Sequence, residues 1–170
     1  MKKILFVGAE VMPFAATGGL GDVLGSLPAA LAAQSRELDI RVVMPLYAAV
    51  SEKFRDEMKT IAVFDVHLAW RRQYCGVRRL IRDGVTYYFI DNEYYFARDT
   101  LYGHMDDGER YAYFCRAVLE MMPFIDFYPD VLHAHDWQAA LSVIYYKRQF
   151  AQQEKYAGAE TVFTIHNIAY

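Results

Sequence analysis

Three short segments carry the residues whose types and spacing suit chemistry. The first is Thr17-Gly18-Gly19-Leu20-Gly21-Asp22. Glycines that open a helix leave backbone N–H groups unobstructed, and the helix dipole adds partial positive charge there, so a diphosphate is the natural ligand. The segment is not a Walker loop, because no Gly-Lys-Ser/Thr follows, and it is not a dinucleotide-type GxGxxG. The same glycines also suit a plain tight turn with Asp22 decorating the helix start. The second segment is His133-Ala134-His135-Asp136-Trp137-Gln138. On a strand, His133 and His135 share a face, which makes a metal-binding pair conceivable. No further His or carboxylate cluster sits at helpful spacing, and His67 and His104 share no pattern with the pair. Asp136 and Gln138 could instead bond sugar hydroxyls, or Asp136 could simply cap the following helix. The third is Thr164-Ile165-His166-Asn167, an imidazole just past an apolar strand.

The elements that must position these segments follow from hydrophobic patterning. Lys3–Gly8 is a continuous apolar run, as in a parallel strand buried on both faces. Leu20, Val23, Leu24, Leu27 and Leu31 recur at helical spacing, with Pro28 expected to kink the helix. Gly21 and Gly25, one turn apart, are expected to let that helix approach the sheet. Asp39–Pro45 reads as a second buried strand, which completes a right-handed βαβ unit. Val77–Arg82 and Val85–Asp91 flank Asp83-Gly84, a strong hairpin signal, and read as an excursion from the main sheet. Gly108–Met122 is a helix with Tyr111, Phe114, Val118 and Met122 on one face. Val131–Ala134 is a strand, Gln138–Phe150 a helix carrying Leu141, Ile144 and Tyr145, and Thr161–Ile165 a further strand. The class is α/β: a Rossmann-like, doubly wound, mostly parallel sheet. In such folds ligands sit beyond the carboxyl ends of the strands, where all three segments fall.

Composition narrows the function classes. With 55% hydrophobic residues over 170 positions, the chain can bury one substantial core. A formal net charge of -3 without a basic stripe argues against nucleic acid. Aromatics make up 16%, which fits stacking on sugar rings as well as ordinary core packing. Cys75 and Cys115 have no metal or CxxC spacing and suit a reducing compartment. The apolar start breaks at Glu10, too early for a signal peptide, and Val42–Val50 is too short to span a bilayer, so a cytoplasmic protein with no membrane partner is expected. A nicotinamide-dependent oxidoreductase should place an acidic residue after the second strand, yet that strand ends Met44-Pro45-Leu46.

Taken in this order, the three segments resemble the glycogen and starch synthases of the bacterial and plant type. That family carries Lys-x-Gly-Gly-Leu, then His-x-His-Asp-Trp, then Thr-x-His-Asn. The matching segments here are Ala16–Leu20, His133–Trp137 and Thr164–Asn167, and further likeness lies in Asp91–Arg98, Leu101-Tyr102-Gly103 and Arg110–Glu120. The resemblance implies a GT-B enzyme of two Rossmann-like domains, with residues 1–170 as an incomplete N-terminal, acceptor-side domain. The nucleotide-binding C-terminal domain lies outside it, so the chain alone is expected to be inactive. The implied reaction moves glucose from ADP-glucose to the non-reducing end of an α-1,4-glucan (glycogen or a maltooligosaccharide) with retention, and needs no cofactor and no metal. By the same resemblance, His166 holds a sugar hydroxyl while its carbonyl faces the anomeric carbon. The Gly18 and Gly19 amides meet the diphosphate, and Asp22, Asp136 and Gln138 align the acceptor. The departing phosphate takes the acceptor proton. Asp91-x-Glu93 looks somewhat like the acid pair of the other glycosyltransferase fold and reads as structural. Ala16 stands where the family has its sugar-nucleotide lysine, which puts full activity in question. A non-catalytic glucan-binding or regulatory module, or a different GT-B glycosyltransferase, remains the alternative.

Overall fold

The first strand and its two neighbours set the architecture. In the computed structural model, which describes residues 1–168, β1 (Lys2–Val7) lies between β2 (Leu38–Pro45) and β6 (Val131–His135), parallel to both. Leu5, Phe6 and Val7 are buried, as are Val42, Val43 and Met44. Side chains on both faces of these strands are apolar because both faces are covered. The single seven-stranded sheet has the order β3-β4-β5-β2-β1-β6-β7. The chain builds outward from β1 in one direction through β2, then returns to its other side with β6. The carboxyl ends of β1 and β6 therefore form the switch point at which such sheets bind ligands.

The Asp83-Gly84 turn is present, with φ of 50° and 76°, the two left-handed residues of a type I′ hairpin. Its strands, β4 (Arg71–Arg82) and β5 (Val85–Asp91), are built into the main sheet, since β5 pairs in parallel with β2 from Arg41↔Thr86 to Pro45↔Ile90. A strand not expected from the sequence, β3 (Lys59–Leu68), continues the antiparallel edge. Its turn onto β4 runs through Ala69, at φ 51°, and Trp70, neither of which is a typical turn residue. The short helix α2 (Glu52–Glu57) precedes it.

Helix α1 (Gly19–Gln34) runs through Pro28 without interruption. Its glycines do not serve approach to the sheet. A Cβ on Gly21 would lie 2.3 Å from the Ala16 Cβ, and one on Gly25 would lie 2.8 Å from the Met12 carbonyl oxygen. They let α1 settle against the loop that precedes it, with Met12 N–H donating to the Gly21 carbonyl at 3.0 Å. It is Gly8, just beyond β1, that makes room for the helix, because a Cβ there would strike Leu24 at 2.0 Å.

After α3 (Glu93–Phe96), helix α4 (Asp107–Glu120) buries the expected face of Tyr111, Phe114 and Val118. Met122, also buried, opens the separate turn α5 (Met122–Ile125). Arg110 is wholly buried in α4, its Nε donating to the Tyr95 carbonyl at 2.7 Å and its Nη1 to the Leu101 carbonyl at 3.0 Å, which ties down the 95–101 loop. Helix α6 (Asp136–Tyr145) widens into a π-helical turn over Tyr146–Phe150 before β7 (Glu160–Thr164). The buried face of this segment is Ala139, Ser142, Tyr146 and Phe150. The expected Ile144 is 52% exposed, because the core lies about one position round from the largest aliphatics.

Candidate functional site

Beyond β1 the chain reaches Glu10, only 4% exposed and absent from the residues singled out in the sequence. Its carboxylate organises the glycine loop. Oε2 accepts the N–H of Gly18 at 3.1 Å together with that of Thr17, and Oε1 accepts the Thr17 hydroxyl at 2.9 Å and the Tyr102 hydroxyl at 2.7 Å. The Gly18 amide, expected to face a diphosphate, is thus already engaged. Gly18 is the N-cap of α1 and brings no side chain to it. A Cβ on Gly18 or Gly19 would meet nothing within 4 Å, so the chain's own packing does not require glycine at either position. Ala16 is partly buried over Gly21, whose missing side chain would also lie 3.6 Å from Glu10 Oε2. Asp22 is exposed on the first turn of α1.

At the tips of β6 and β7 three imidazoles stack. His133 and His135 share one face of β6, as the alternation of a strand demands, with ring centroids 4.1 Å apart. His135 and His166 follow at 5.2 Å, their ring planes nearly parallel at 11°. His133 Nε2 lies 2.7 Å from the Thr164 hydroxyl, and His135 Nδ1 lies 2.9 Å from His166 Nε2. The two rings of the His-x-His pair therefore turn their nitrogens to β7. Burial, reinforced by the neighbouring His166, lowers the His133 pKa, and burial together with His133 and His166 pushes His135 down to about 3.

Asp136 does not cap α6. The N-cap is His135, and Asp136 adopts a left-handed φ of 58°, a conformation that costs a non-glycine residue about 1 kcal/mol and that Asp tolerates better than most. That sharp corner sends the buried carboxylate across to the segment just past β7, where Oδ1 accepts the backbone N–H of His166 at 2.6 Å and of Asn167 at 3.3 Å. Gln138 is 1% exposed, inside the α6 packing and not at the surface where a sugar would pass.

The next residue after Asp136 faces outward. Trp137, 40% exposed, packs edge-on to Tyr111 at 5.2 Å and lies 6.4 Å from Tyr102. Tyr102, Gly103, Asp107 and Trp137 line an open cavity of about 400 Å³. A continuous series of contacts thus runs from Gly18 through Glu10 to Tyr102, across this cavity to Trp137, and through Asp136 to His166. The structure brings Ala16, Gly18, Asp136 and His166 to one end of the sheet, leaves Asp22 exposed on the first turn of α1 and buries Gln138. Sequence reasoning missed Glu10, Tyr102 and Asp107. For Glu10 the signal was present: a carboxylate interrupting an apolar strand end must be paired with donors when it is buried.

The sequence profile of the starch synthase catalytic domain matches residues 3–170. A glycogen synthase of Anoxybacillus flavithermus is 50% identical over 168 residues, and one of Streptococcus agalactiae is 51% identical over the same length. Each alignment covers 99% of this chain but only 34% and 35% of the relative, so the chain spans about a third of the relatives' length. Among solved structures, the catalytic domain of starch synthase IV from Arabidopsis thaliana, bound to ADP and acarbose, superposes with a TM-score of 0.86 at 28% identity. That match covers 98% of this chain and 34% of the plant protein. Sequence profile, relatives and fold agree: the chain belongs to the starch synthase catalytic-domain family.

Proposed function

We propose that this chain is the acceptor-side domain of a longer, two-domain protein that transfers glucose from ADP-glucose to the non-reducing end of an α-1,4-glucan, with retention at the anomeric carbon. The observation that carries this reading is the convergence on one sheet end of a glycine-opened helix, a pinned histidine and an aromatic-walled cavity. Tyr102 and Trp137 offer ring faces on which a glucosyl unit can stack, and Asp107 offers a carboxylate to its hydroxyls. Two charge-assisted bonds from the Asp136 carboxylate fix the backbone at His166 and Asn167, so the His166 carbonyl and ring are preorganised where positive charge develops on the sugar. The α1 N-terminus and the Gly19 amide face the departing diphosphate, while Gly18 is held by Glu10. Glycine at 18 and 19, which the domain's own packing does not demand, fits close approach by such a ligand. Asp22, exposed on the first turn of α1, is the carboxylate this reading assigns to the acceptor.

The free, buried Cys75 and Cys115 suit a reducing cytoplasm, and among the described residues no helix is long and apolar enough to cross a membrane. Ala16 favours one second reading, a glucan-binding module without turnover. Radiolabelled ADP-glucose and glycogen separate the two. The full-length protein should incorporate label, and the 170-residue chain alone should not, since half a cleft neither clamps nor dehydrates a diphosphate. Maltooligosaccharide binding by calorimetry without incorporation by the full-length protein would replace the transferase with the module.

A further inference from the structure

The contact between His135 and His166 has chemical content of its own. Two imidazole nitrogens 2.9 Å apart, Nδ1 facing Nε2, hold one proton between them. One ring donates and the other accepts, and the choice fixes the tautomer of both. His135 is 1% exposed, and its other nitrogen, Nε2, is buried with no hydrogen-bond partner among the described residues. The Phe6 ring stacks beside it at 5.8 Å. If His135 carried its proton on Nε2, that N–H would be an orphaned donor in an apolar setting, the rarer and costlier kind of unsatisfied group. If the proton is on Nδ1, it is used in the bond to His166, and only a bare lone pair is left without a partner. The second arrangement leaves less unsatisfied.

We propose that His135 is a positioning residue: its Nδ1–H donates to His166 Nε2 and thereby fixes His166 as the Nδ1–H tautomer, a hydrogen-bond donor through its remaining nitrogen. Burial keeps His135 itself neutral, so the donor is not exchanged for a cation. Thr164, bonded to His133, and Asp136, bonded to the His166 backbone, hold β6 and β7 in the register this contact needs. For the transferase reading, on which only the kinetic consequence rests, the result is a ring that donates to a sugar hydroxyl oxygen and does not act as a base at that atom.

The test begins with the chain itself, labelled with ¹⁵N-histidine and recorded at pH 8, above the ordinary histidine range. Long-range ¹H–¹⁵N correlation spectra distinguish protonated from bare ring nitrogens. Protonated Nδ1 and bare Nε2 are expected on both His135 and His166; a protonated Nε2 on His166 overturns the proposal. Two variants extend it. His135→Asn places an amide N–H near the Nδ1 position and should preserve the His166 tautomer. His135→Phe keeps a ring in the stack without a donor and should let His166 move its proton to Nε2. An unchanged His166 tautomer in folded His135→Phe also overturns the proposal. Should that variant not fold, the wild-type spectrum and His135→Asn still decide. In the full-length protein, His135→Phe should lower kcat about tenfold or more with little change in glucan KM, and His135→Asn should restore most of it. Absence of turnover in the wild type would defeat the transferase reading and leave the tautomer result standing.

Discussion

Replacing Glu10 gives a sharp test of how the glycine loop is held, because its two oxygens have different partners. Oε2 serves two backbone N–H groups, which can only donate, whereas Oε1 serves two hydroxyls, which can donate or accept. Glu10→Gln can therefore set its carbonyl at the Oε2 position and its amide at the Oε1 position, with Thr17 and Tyr102 turning their hydroxyls to accept. Only the charge assistance is lost, about 1 kcal/mol across the site. Glu10→Ala strands all four donors. A bond to a charged group contributes about 1.5–3 kcal/mol, but the exposed Thr17 and Gly18 amides regain water, so the total falls to about 3 kcal/mol. In urea this should lower the unfolding midpoint of the chain by about 1 M or more. Hydrogen exchange at the Thr17 and Gly18 amides should accelerate in the Ala variant far more than in the Gln variant, since the loop can open locally. If Ala costs less than about 0.5 kcal/mol with unchanged exchange, Glu10 does not hold the loop. If Gln is as harmful as Ala, charge and not donor satisfaction is what matters there.

The remaining predictions concern the two histidines and the missing lysine. In the full-length protein, His166→Ala should reduce kcat by about a hundredfold or more with little effect on glucan KM, as expected of a group acting mainly in the transition state; near-normal kcat would make His166 structural. Ala16→Lys should raise kcat/KM for ADP-glucose by about one to three orders of magnitude, the value of one preorganised cation near a diphosphate. Ala16 and Glu10 Oε2 border the same space above Gly21, so the new ammonium starts beside a carboxylate; no gain in kcat/KM would mean that the position is not part of the diphosphate site. His135, at about 3 when folded against an ordinary value near 6.5, binds more protons unfolded than folded between those limits. Its contribution to stability is complete above pH 6.5 and is lost on acidification, by up to about 1.4 kcal/mol per pH unit. His133 shifts in the same direction. Urea titrations from pH 7 to 4.5 should show a shallower loss for His135→Phe than for wild type, and equal slopes would refute the assignment.

The parallel frame was legible in the sequence because it rests on local pattern. β1, β2 and β6 are short apolar runs, and Asp83-Gly84 supplies the two left-handed residues its turn needs. β3 was not legible: Lys59–Leu68 is an edge strand with much of its length exposed, and its Ala69-Trp70 turn carries no turn chemistry. The α6 face was misplaced by one position because its buried residues there are the small Ala139 and Ser142, while the large aliphatic Ile144 faces outward. At the site, the three motifs showed which strand ends matter, but not which atoms meet. Neither the Asp136 bond to the His166 backbone, across 30 residues, nor the Glu10 bond to Tyr102, across 92, leaves a trace in local spacing. Gln138 reads with Asp136 as a sugar contact because both sit at the start of α6, yet on a helix each position turns about 100° from the last, and Gln138 turns into the core.

The most direct measurement is the product formed by the full-length protein from maltotriose and ADP-glucose labelled with ¹³C at the anomeric carbon, followed by NMR. The expected product is maltotetraose whose new linkage is wholly α-1,4, the donor's own anomeric configuration. A β-linked product, a free labelled glucose without elongation, or no consumption of donor would contradict it.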